Sequence, residues 1–342
     1  MLSRPKIYPV LACLIATLSI AQTPPQQEDQ QLDVQLQTIA AAHHGKVALY
    51  AHNLKTGQTA SITPDLPVQT ASVIKLGILL DAAEQIREGH ATLAEKLVLT
   101  HANQVEGSGV LGQLTAPLPL TLGDTLTLMT VLSDNTATNL AIDRLGLAHI
   151  NATLRSAGLR QTVLYKKVYV PATAPMPADQ PKFGLGKTTA REMASLIERL
   201  ATCHLSLDDS APLPGDGPLC AALLHMLRNQ QDRNSLPRLL ETIDTSENGS
   251  AIANKTGALD AVRNDIALIS TKQGPVVIAA FTFQNADQRW NGDNEGEHTL
   301  GKLGQAVIQL WSPAGLDVAS FPWNNPLAAA PPHQDPAHSH PL

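Results

Sequence analysis

The sequence predicts an α+β fold, a three-layer α/β/α sandwich on an antiparallel five-stranded sheet, with an all-helical second domain inserted. Three observations predict it. Two stretches with strand composition flank a turn near the amino terminus, at 46–54 and 59–62. Three more, the last two rich in Val and Ile, lie near the carboxyl end, at 251–256, 262–270 and 276–283. Between these groups, apolar residues recur at helical spacing.

The remaining elements follow from the same spacing. Apolar periodicity predicts a first helix after residue 33, and further helices over 72–86, 122–132, 135–145, 149–157, 189–200 and 297–311. The predicted domains are a sandwich subdomain (22–70 plus 212–312), a mainly helical subdomain (71–211) and a Pro-rich flexible tail (313–342). The irregular, proline-rich segment 161–187 has a length typical of a functional loop, so we expect it to form a wall of the site.

Size and charge restrict the classes of partner. The chain has 342 residues, of which 43% are hydrophobic, enough for one large core or two modest ones. Its formal net charge of -6 comes with no long run of either sign, which argues against nucleic-acid binding. We therefore expect a small-molecule partner, and a monomer.

The amino terminus has the pattern of an export signal. Arg4 and Lys6 precede an apolar run over 7–20, and Ser19-Ile20-Ala21 supplies the small residues that signal peptidase accepts. We expect cleavage after Ala21, a periplasmic or secreted protein, and no stable membrane insertion once the leader is removed. A membrane anchor, which the short, proline-interrupted run disfavours, and lipidation at Cys13 remain as alternatives.

Two cysteines, Cys203 and Cys220, would remain after cleavage, in a compartment where a disulfide can persist. A bridge and two separate buried thiols are both compatible with the sequence. No cofactor is predicted. No metal site is predicted either, because His333, His338 and His340 lie in a Pro-rich tail.

The first candidate catalytic pattern is Ser72-Val73-Ile74-Lys75. A serine hydroxyl is a poor nucleophile until a neighbouring base takes its proton, and this spacing places an amine one helical turn away. Ser72 also opens an apolar helix, where backbone N–H groups favour a developing anion. The alternative interpretation is an ordinary helix amino terminus.

The second pattern is Ser133-Asp134-Asn135, at the junction between two predicted helices. These residue types are favoured at helix N-caps, so capping is a sufficient structural explanation. The triplet also offers a second hydroxyl for proton relay and an amide that can hold a substrate carbonyl.

The third pattern, Lys255-Thr256-Gly257-Ala258, ends a predicted strand. In a functional interpretation, Lys255 attracts a substrate carboxylate and Thr256 adds a hydroxyl. Gly257 would let a flat ligand approach the backbone. The N–H groups of Ala258 and Ser72 are candidates for an oxyanion hole.

Each pattern is common by chance, but their order, with a helical block between the first and the third, is not. From about residue 31 to 311 the chain resembles the class A β-lactamases, most closely over 133–140. The resemblance implies that Ser72 is acylated and that Lys75 is its proton partner.

By the same resemblance, Ser133 passes a proton to the departing ring nitrogen, Lys255 holds the substrate carboxylate and Asn135 contacts the side-chain amide of the drug. For Lys75 to accept a proton near neutral pH, its pKa must fall. Burial and the charge of Lys255 would both lower it.

The sequence departs from class A enzymes in the long loop, where that family carries the Glu that prepares the deacylating water. Here no Glu occurs between Glu106 and Glu192. Asp179 is the only carboxylate in 161–187 and is a candidate base, although an ordinary role as a solvated loop residue is the favoured interpretation. Glu106 is a second candidate base, from the opposite wall. Acylation is therefore better supported than turnover.

Three functions are compatible with these patterns. The leading one is β-lactam hydrolysis through an acyl-Ser72 intermediate, with slow deacylation. The second is a penicillin-binding, DD-peptidase-like or esterase-like enzyme with the same nucleophile, acting on a cell-wall peptide-like substrate. The third is a binding protein that has lost the chemistry, which the intact set of three motifs disfavours.

Overall fold

The computed structural model describes residues 25–172, 175–205, 215–240 and 249–322. The strands are β1 Gln27–Glu28, β2 Lys46–Asn53, β3 Gln58–Ile62, β4 Val68–Gln69, β5 Lys96–Leu99, β6 Leu118–Thr121, β7 Val163–Leu164, β8 Gly186–Thr188, β9 Ile252–Leu259, β10 Val262–Ile269 and β11 Val276–Phe283. The helices are α1 Gln30–Ala41, α2 Lys75–Arg87, α3 Leu122–Val131, α4 Asn135–Leu145, α5 Leu147–Ser156, α6 Gln180–Phe183, α7 Ala190–Thr202, α8 Asp216–Arg228 and α9 Glu295–Trp311. Short 3-10 helices cover Ala71–Ile74, His101–Asn103, Leu111–Gln113 and Leu236–Leu239.

The central sheet has six strands in the order β1-β3-β2-β11-β10-β9. From β3 to β9 all neighbours are antiparallel, and the pairing of β11 with β2 joins the carboxyl-terminal strands to the amino-terminal hairpin. The sheet has six strands instead of the predicted five, because the two-residue strand β1 pairs with β3 in parallel at the edge. Two polar residues carry no alternation from which a strand can be predicted.

Helices cover both faces of this sheet, which confirms the predicted three-layer sandwich. On one face, α1 and α9 bury Leu32, Leu36, Leu300 and Leu303. Their three- and four-residue spacing puts one apolar stripe against the sheet. On the other face, α7 packs on β2, β10 and β11.

The inserted block contains strands as well as helices, which corrects the all-helical prediction. Strand β5 pairs with β6, and β8 lies between β4 and β7. These strands have two to four residues, too few to show a hydrophobic period.

Helix α8 was not predicted from the sequence. It begins after the predicted domain boundary at residue 211 and packs against α3, α7 and β9. Its apolar residues, Leu219, Leu223 and Leu227, lie in the core between the sheet and the inserted helices. Cys203 after α7 and Cys220 in α8 form a disulfide, which decides the alternative that the sequence left open.

The two ends of the chain are described only in part. The expected leader, 1–21, and the tail from 323 onwards lie outside the described residues. Residues 313–322, predicted as the start of the tail, contact the folded body, since Phe321 is buried with the Arg228 guanidinium 4.4 Å from its ring centre. No helix in the described ranges is both long and apolar enough to cross a membrane.

Candidate active site

Ser72 lies in the 3-10 helix that leads directly into α2. Ala71 before it has a φ of 44°, a left-handed conformation that a non-glycine residue keeps only where its surroundings hold it. Asn264 on β10 is one such restraint, because its Nδ2 donates hydrogen bonds to the carbonyls of Gln69 (2.9 Å) and Thr70 (3.0 Å). The turn that carries Ser72 is therefore attached to the sheet.

Lys75 is fully buried at the start of α2. Its Nζ donates to the Ser133 carbonyl (2.6 Å), the Ser133 Oγ (3.1 Å) and the Asn135 Oδ1 (3.2 Å). Burial lowers the pKa of Lys75 well below its usual value, the charge of Lys255 lowers it further, and Asp134 opposes both. The environment therefore favours a neutral Lys75 amine, as a proton acceptor requires.

The connection between α3 and α4 presents Ser133, whose φ is 54°. The next residue, Asp134, is the N-cap of α4, and its Oδ1 accepts the N–H of Ala137 at 2.8 Å. Its Oδ2 accepts the N–H groups of Val110 (2.6 Å) and Leu111 (2.8 Å). Asp134 therefore caps the helix, while the Ser133 hydroxyl lies within hydrogen-bonding distance of two buried lysines. The role of Ser133 as a proton relay stays a prediction.

The second of these lysines, Lys255 on β9, is also fully buried. Its Nζ donates to the Ser133 Oγ (3.0 Å) and to the Thr256 carbonyl (2.7 Å). Burial lowers the pKa of Lys255 to about 8, although Asp232 and Asp265 oppose the shift. The Ser133 Oγ is therefore within hydrogen-bonding distance of two lysine nitrogens, at 3.1 and 3.0 Å.

Strand β9 passes close to the turn that carries Ser72. A Cβ at Gly257 would lie 2.9 Å from the amide nitrogen of Ser72 and from two further backbone atoms of the turn. Glycine is therefore required at this crossing. The neighbours Thr256 and Ala258 line the same cavity as Ser72.

Ser72 and Ser133 line one open cavity of about 740 Å³, together with Asn135 and 256–258. Residues of the segment 161–187 also line this cavity, as predicted from the sequence. Within the described residues, the Ser72 and Lys75 side chains share no hydrogen bond, since those of the lysine go to Ser133 and Asn135.

Comparison with known proteins adds a family to this geometry. The model of the beta-lactamase enzyme family matches residues 31–311, most of the chain. The chain belongs to this family. A search of curated protein sequences finds no significant match.

Solved structures of beta-lactamases and of PBP-A share the fold of this chain. The chain is 28% identical to the beta-lactamase from Sphaerobacter thermophilus, with a TM-score of 0.68 over 82% of this chain and 97% of that one. It is 25% identical to a PBP-A mutant solved as an acyl-enzyme with penicillin G, with a TM-score of 0.70 over 84% and 98%. An ancestral class A beta-lactamase, at 21% identity, has the same fold, with a TM-score of 0.67 over 82% and 100%.

The two candidate deacylation bases of this beta-lactamase family member are absent from the described lining of the cavity that Ser72 lines. Asp179 forms an ion pair with Lys187 (2.7 Å) and accepts a hydrogen bond from the Tyr165 hydroxyl (3.0 Å). The bond from Lys187 holds the pKa of the Asp179 carboxyl below its usual value. Glu106 is exposed, and its backbone carbonyl accepts from Asn135 Nδ2 at 3.2 Å. Neither belongs to the described lining of the cavity, and a catalytic role for either stays a prediction.

Sequence reasoning missed several residues of the site. Tyr169, Asp232 and Trp290 line the cavity, and Asp232 is the only carboxylate among the described lining residues. None belongs to a spaced motif. Asn264 offered a signal, because it and Asp265 are buried polar residues within the otherwise mostly apolar strand β10.

Proposed function

We propose that this chain is a serine hydrolase that opens β-lactam amides through an acyl group on Ser72 and releases that group slowly. The observation that carries the proposal is the Ser133 hydroxyl, held between the buried amines of Lys75 and Lys255 beside the cavity that Ser72 lines.

Acylation begins when the Ser72 Oγ attacks the lactam carbonyl carbon and a neutral Lys75 takes the hydroxyl proton. This transfer requires contact between Ser72 and Lys75, which forms on substrate binding, because catalytic hydrogen bonds often tighten only in the complex. The N–H groups of Ser72 and Ala258 stabilise the oxyanion. When the ring C–N bond breaks, the Ser133 hydroxyl protonates the nitrogen and recovers a proton from Lys75.

Substrate orientation comes from the other cavity residues. Protonated Lys255 attracts the carboxylate next to the lactam nitrogen, and the Thr256 hydroxyl adds a hydrogen bond. Asn135 donates to the carbonyl of the acylamino side chain. Lys255 and Asn135 are already held in place by the contacts described above, so their positioning needs little reorganisation on binding.

Deacylation needs a base that activates water at the acyl carbon. Asp232, the described carboxylate of the lining, raises the pKa of Lys255 and therefore acts on the carboxylate-binding side. Asp179 is occupied by Lys187. The arrangement supports fast acylation followed by slow hydrolysis.

A second candidate function has the same nucleophile with a different substrate, a penicillin-binding, DD-peptidase-like or esterase-like activity. The lack, among the described residues, of a base placed to activate the deacylating water favours it. So does the similarity to PBP-A, whose mutant was solved as an acyl-enzyme with penicillin G. The two functions differ in the lifetime of the acyl group.

Time-resolved intact-mass spectrometry with benzylpenicillin tests the proposal. We expect the mass of one opened penicillin to appear on the wild type, to be absent from Ser72→Ala and to form normally on Ser156→Ala, a matched exposed serine at the end of α5. Loss of the adduct within minutes indicates a lactamase, and persistence for hours indicates the second function. Folded wild type that never gains the adduct contradicts both.

We also propose that the chain is exported and acts as a monomer. The Cys203–Cys220 disulfide supports export, because such bonds persist in oxidising compartments. Cell fractionation with amino-terminal sequencing of the mature protein tests this. A cytoplasmic protein that retains residue 1 contradicts it.

A further inference from the structure

Tyr169 presents an aromatic ring to the cavity that the proposed chemistry does not use. The residue is 61% exposed, and its hydroxyl makes no hydrogen bond with a described residue. Its φ of 54° is unfavourable for a bulky side chain. Such conformations persist only where the surroundings impose them, and they are concentrated at functional sites.

Helix α4 imposes this conformation on the chain around Tyr169. Asn139 donates from Nδ2 to the Val168 carbonyl (2.9 Å) and accepts the Val168 N–H at Oδ1 (2.8 Å). One turn further along, Asp143 pairs with Lys167 at 2.8 Å. The same helix begins with Asn135, so one row of side chains spaced by four holds both the amide and the loop that carries the ring.

Gly107 on the opposite loop allows the ring to approach Asn135. A Cβ at Gly107 would lie 2.9 Å from Cε2 of Tyr169 and 2.6 Å from Nδ2 of Asn135. The edge of the Tyr169 ring and the side-chain amide of Asn135 are therefore both within 3.0 Å of the position that a Cβ of residue 107 would occupy. The Tyr169 ring therefore lies beside the amide of Asn135 in the lining of the same cavity, within reach of a group attached to a substrate amide that meets Asn135.

The other exposed aromatic ring of the cavity is already engaged. Trp290 donates from Nε1 to Asp260 (2.9 Å), and the Arg263 guanidinium lies 4.8 Å from its ring centre. Tyr169 has no comparable partner among the described residues, so its ring is available to a ligand. Aromatic rings pair favourably with other rings in stacked or edge-to-face geometry.

We propose that Tyr169 is a specificity-determining residue whose ring packs against an aromatic group on the acylamino side of the substrate. This inference rests on the proposed function and names the substrate class within it, β-lactams or acyl donors with an aryl side chain. Tyr169 takes no part in bond making or proton transfer.

The test compares benzylpenicillin, which carries a phenylacetyl group, with 6-aminopenicillanic acid, which has a free amine instead. Acylation efficiency is measured by intact mass for wild type, Tyr169→Phe and Tyr169→Ala. We expect Tyr169→Ala to lose about tenfold on benzylpenicillin and less than about twofold on 6-aminopenicillanic acid. Tyr169→Phe, the matched control, retains both rates, because it keeps the ring and the hydroxyl is unbonded.

An equal loss on both compounds, or no loss on benzylpenicillin, overturns the inference. Equilibrium binding of the two compounds to Ser72→Ala, with and without Tyr169→Ala, separates this result from failure of the chemistry. If wild type is acylated by neither compound, the proposed function fails. The role of Tyr169 is then tested only by the ratio of the binding affinities for the two compounds. A preference for benzylpenicillin that disappears with the ring supports the role of Tyr169, and the absence of such a preference refutes it.

Discussion

The buried charge of Lys255 gives a quantitative prediction that links stability to function. Its pKa falls from 10.5 to about 8 in the fold. The shift corresponds to about 3 kcal/mol of unfavourable free energy for the protonated form. Below pH 8 Lys255 is protonated in both the folded and the unfolded state, so the full cost of burying the charge is subtracted from the free energy of unfolding. Between pH 8 and 10.5 the unfolded state binds more protons at this group than the folded state does. The free energy of unfolding therefore rises with pH over this range.

Lys255→Gln removes the charge together with the hydrogen bonds of Nζ to Ser133 and Thr256. Each lost bond costs about 1 kcal/mol. At pH 7 the variant should therefore be about 1 kcal/mol more stable than wild type. At pH 10, where Lys255 is neutral in the fold, the variant should be less stable by about 1 to 2 kcal/mol.

Urea unfolding at pH 7 and pH 10, followed by circular dichroism, measures this difference. Lys302→Gln on the exposed side of α9 is the control and should change stability by less than about 0.5 kcal/mol at either pH. An equal shift of stability at both pH values for Lys255→Gln, or the same pH dependence in the Lys302→Gln control, would contradict a cost of burying the Lys255 charge.

Lys255→Gln should also change the pH dependence of acylation. The charge of Lys255 lowers the pKa of Lys75, so its removal should raise that pKa. In the pH profile of the acylation rate, the acidic limb should then move to higher pH, because Lys75 must be neutral to accept a proton. An unchanged limb in a pH profile of benzylpenicillin acylation contradicts the assignment of Lys75 as the base.

The remaining predictions concern the frame of the site. Gly257→Ala should slow acylation at least about 100-fold without unfolding the protein, because the added Cβ would lie 2.9 Å from the amide nitrogen of Ser72. An unchanged acylation rate, measured by intact-mass spectrometry, would disprove this close approach. Asn264→Ala leaves two backbone carbonyls without their donor and should cost about 2 kcal/mol by urea unfolding while slowing acylation. Cys203→Ser with Cys220→Ser opens a loop with a sequence separation of 17, which should cost about 3 kcal/mol and leave the acylation rate of the folded protein unchanged.

The elements that the sequence predicted well are those with a long local signal. Helix α4 has the predicted bounds because apolar residues recur at helical spacing over eleven residues, and strand β11 has them because it is a nearly continuous apolar run of eight residues. Strand β1 and the short strands of the inserted block could not be predicted, because two to four residues show no period. Helix α8 was missed although its leucines are spaced helically.

The sequence by itself determined which chemical groups are present: a serine with a lysine one turn away, a second serine, a second lysine, and a loop without glutamate. Only the tertiary structure decided that they meet. Ser133 is 58 residues from Lys75 and 122 from Lys255, yet its hydroxyl contacts both amines. The lowered lysine pKa values, the ion pair that occupies Asp179, and the position of Tyr169 opposite Gly107 likewise depend on burial and distance, which arise when separate segments pack together and which no local pattern encodes.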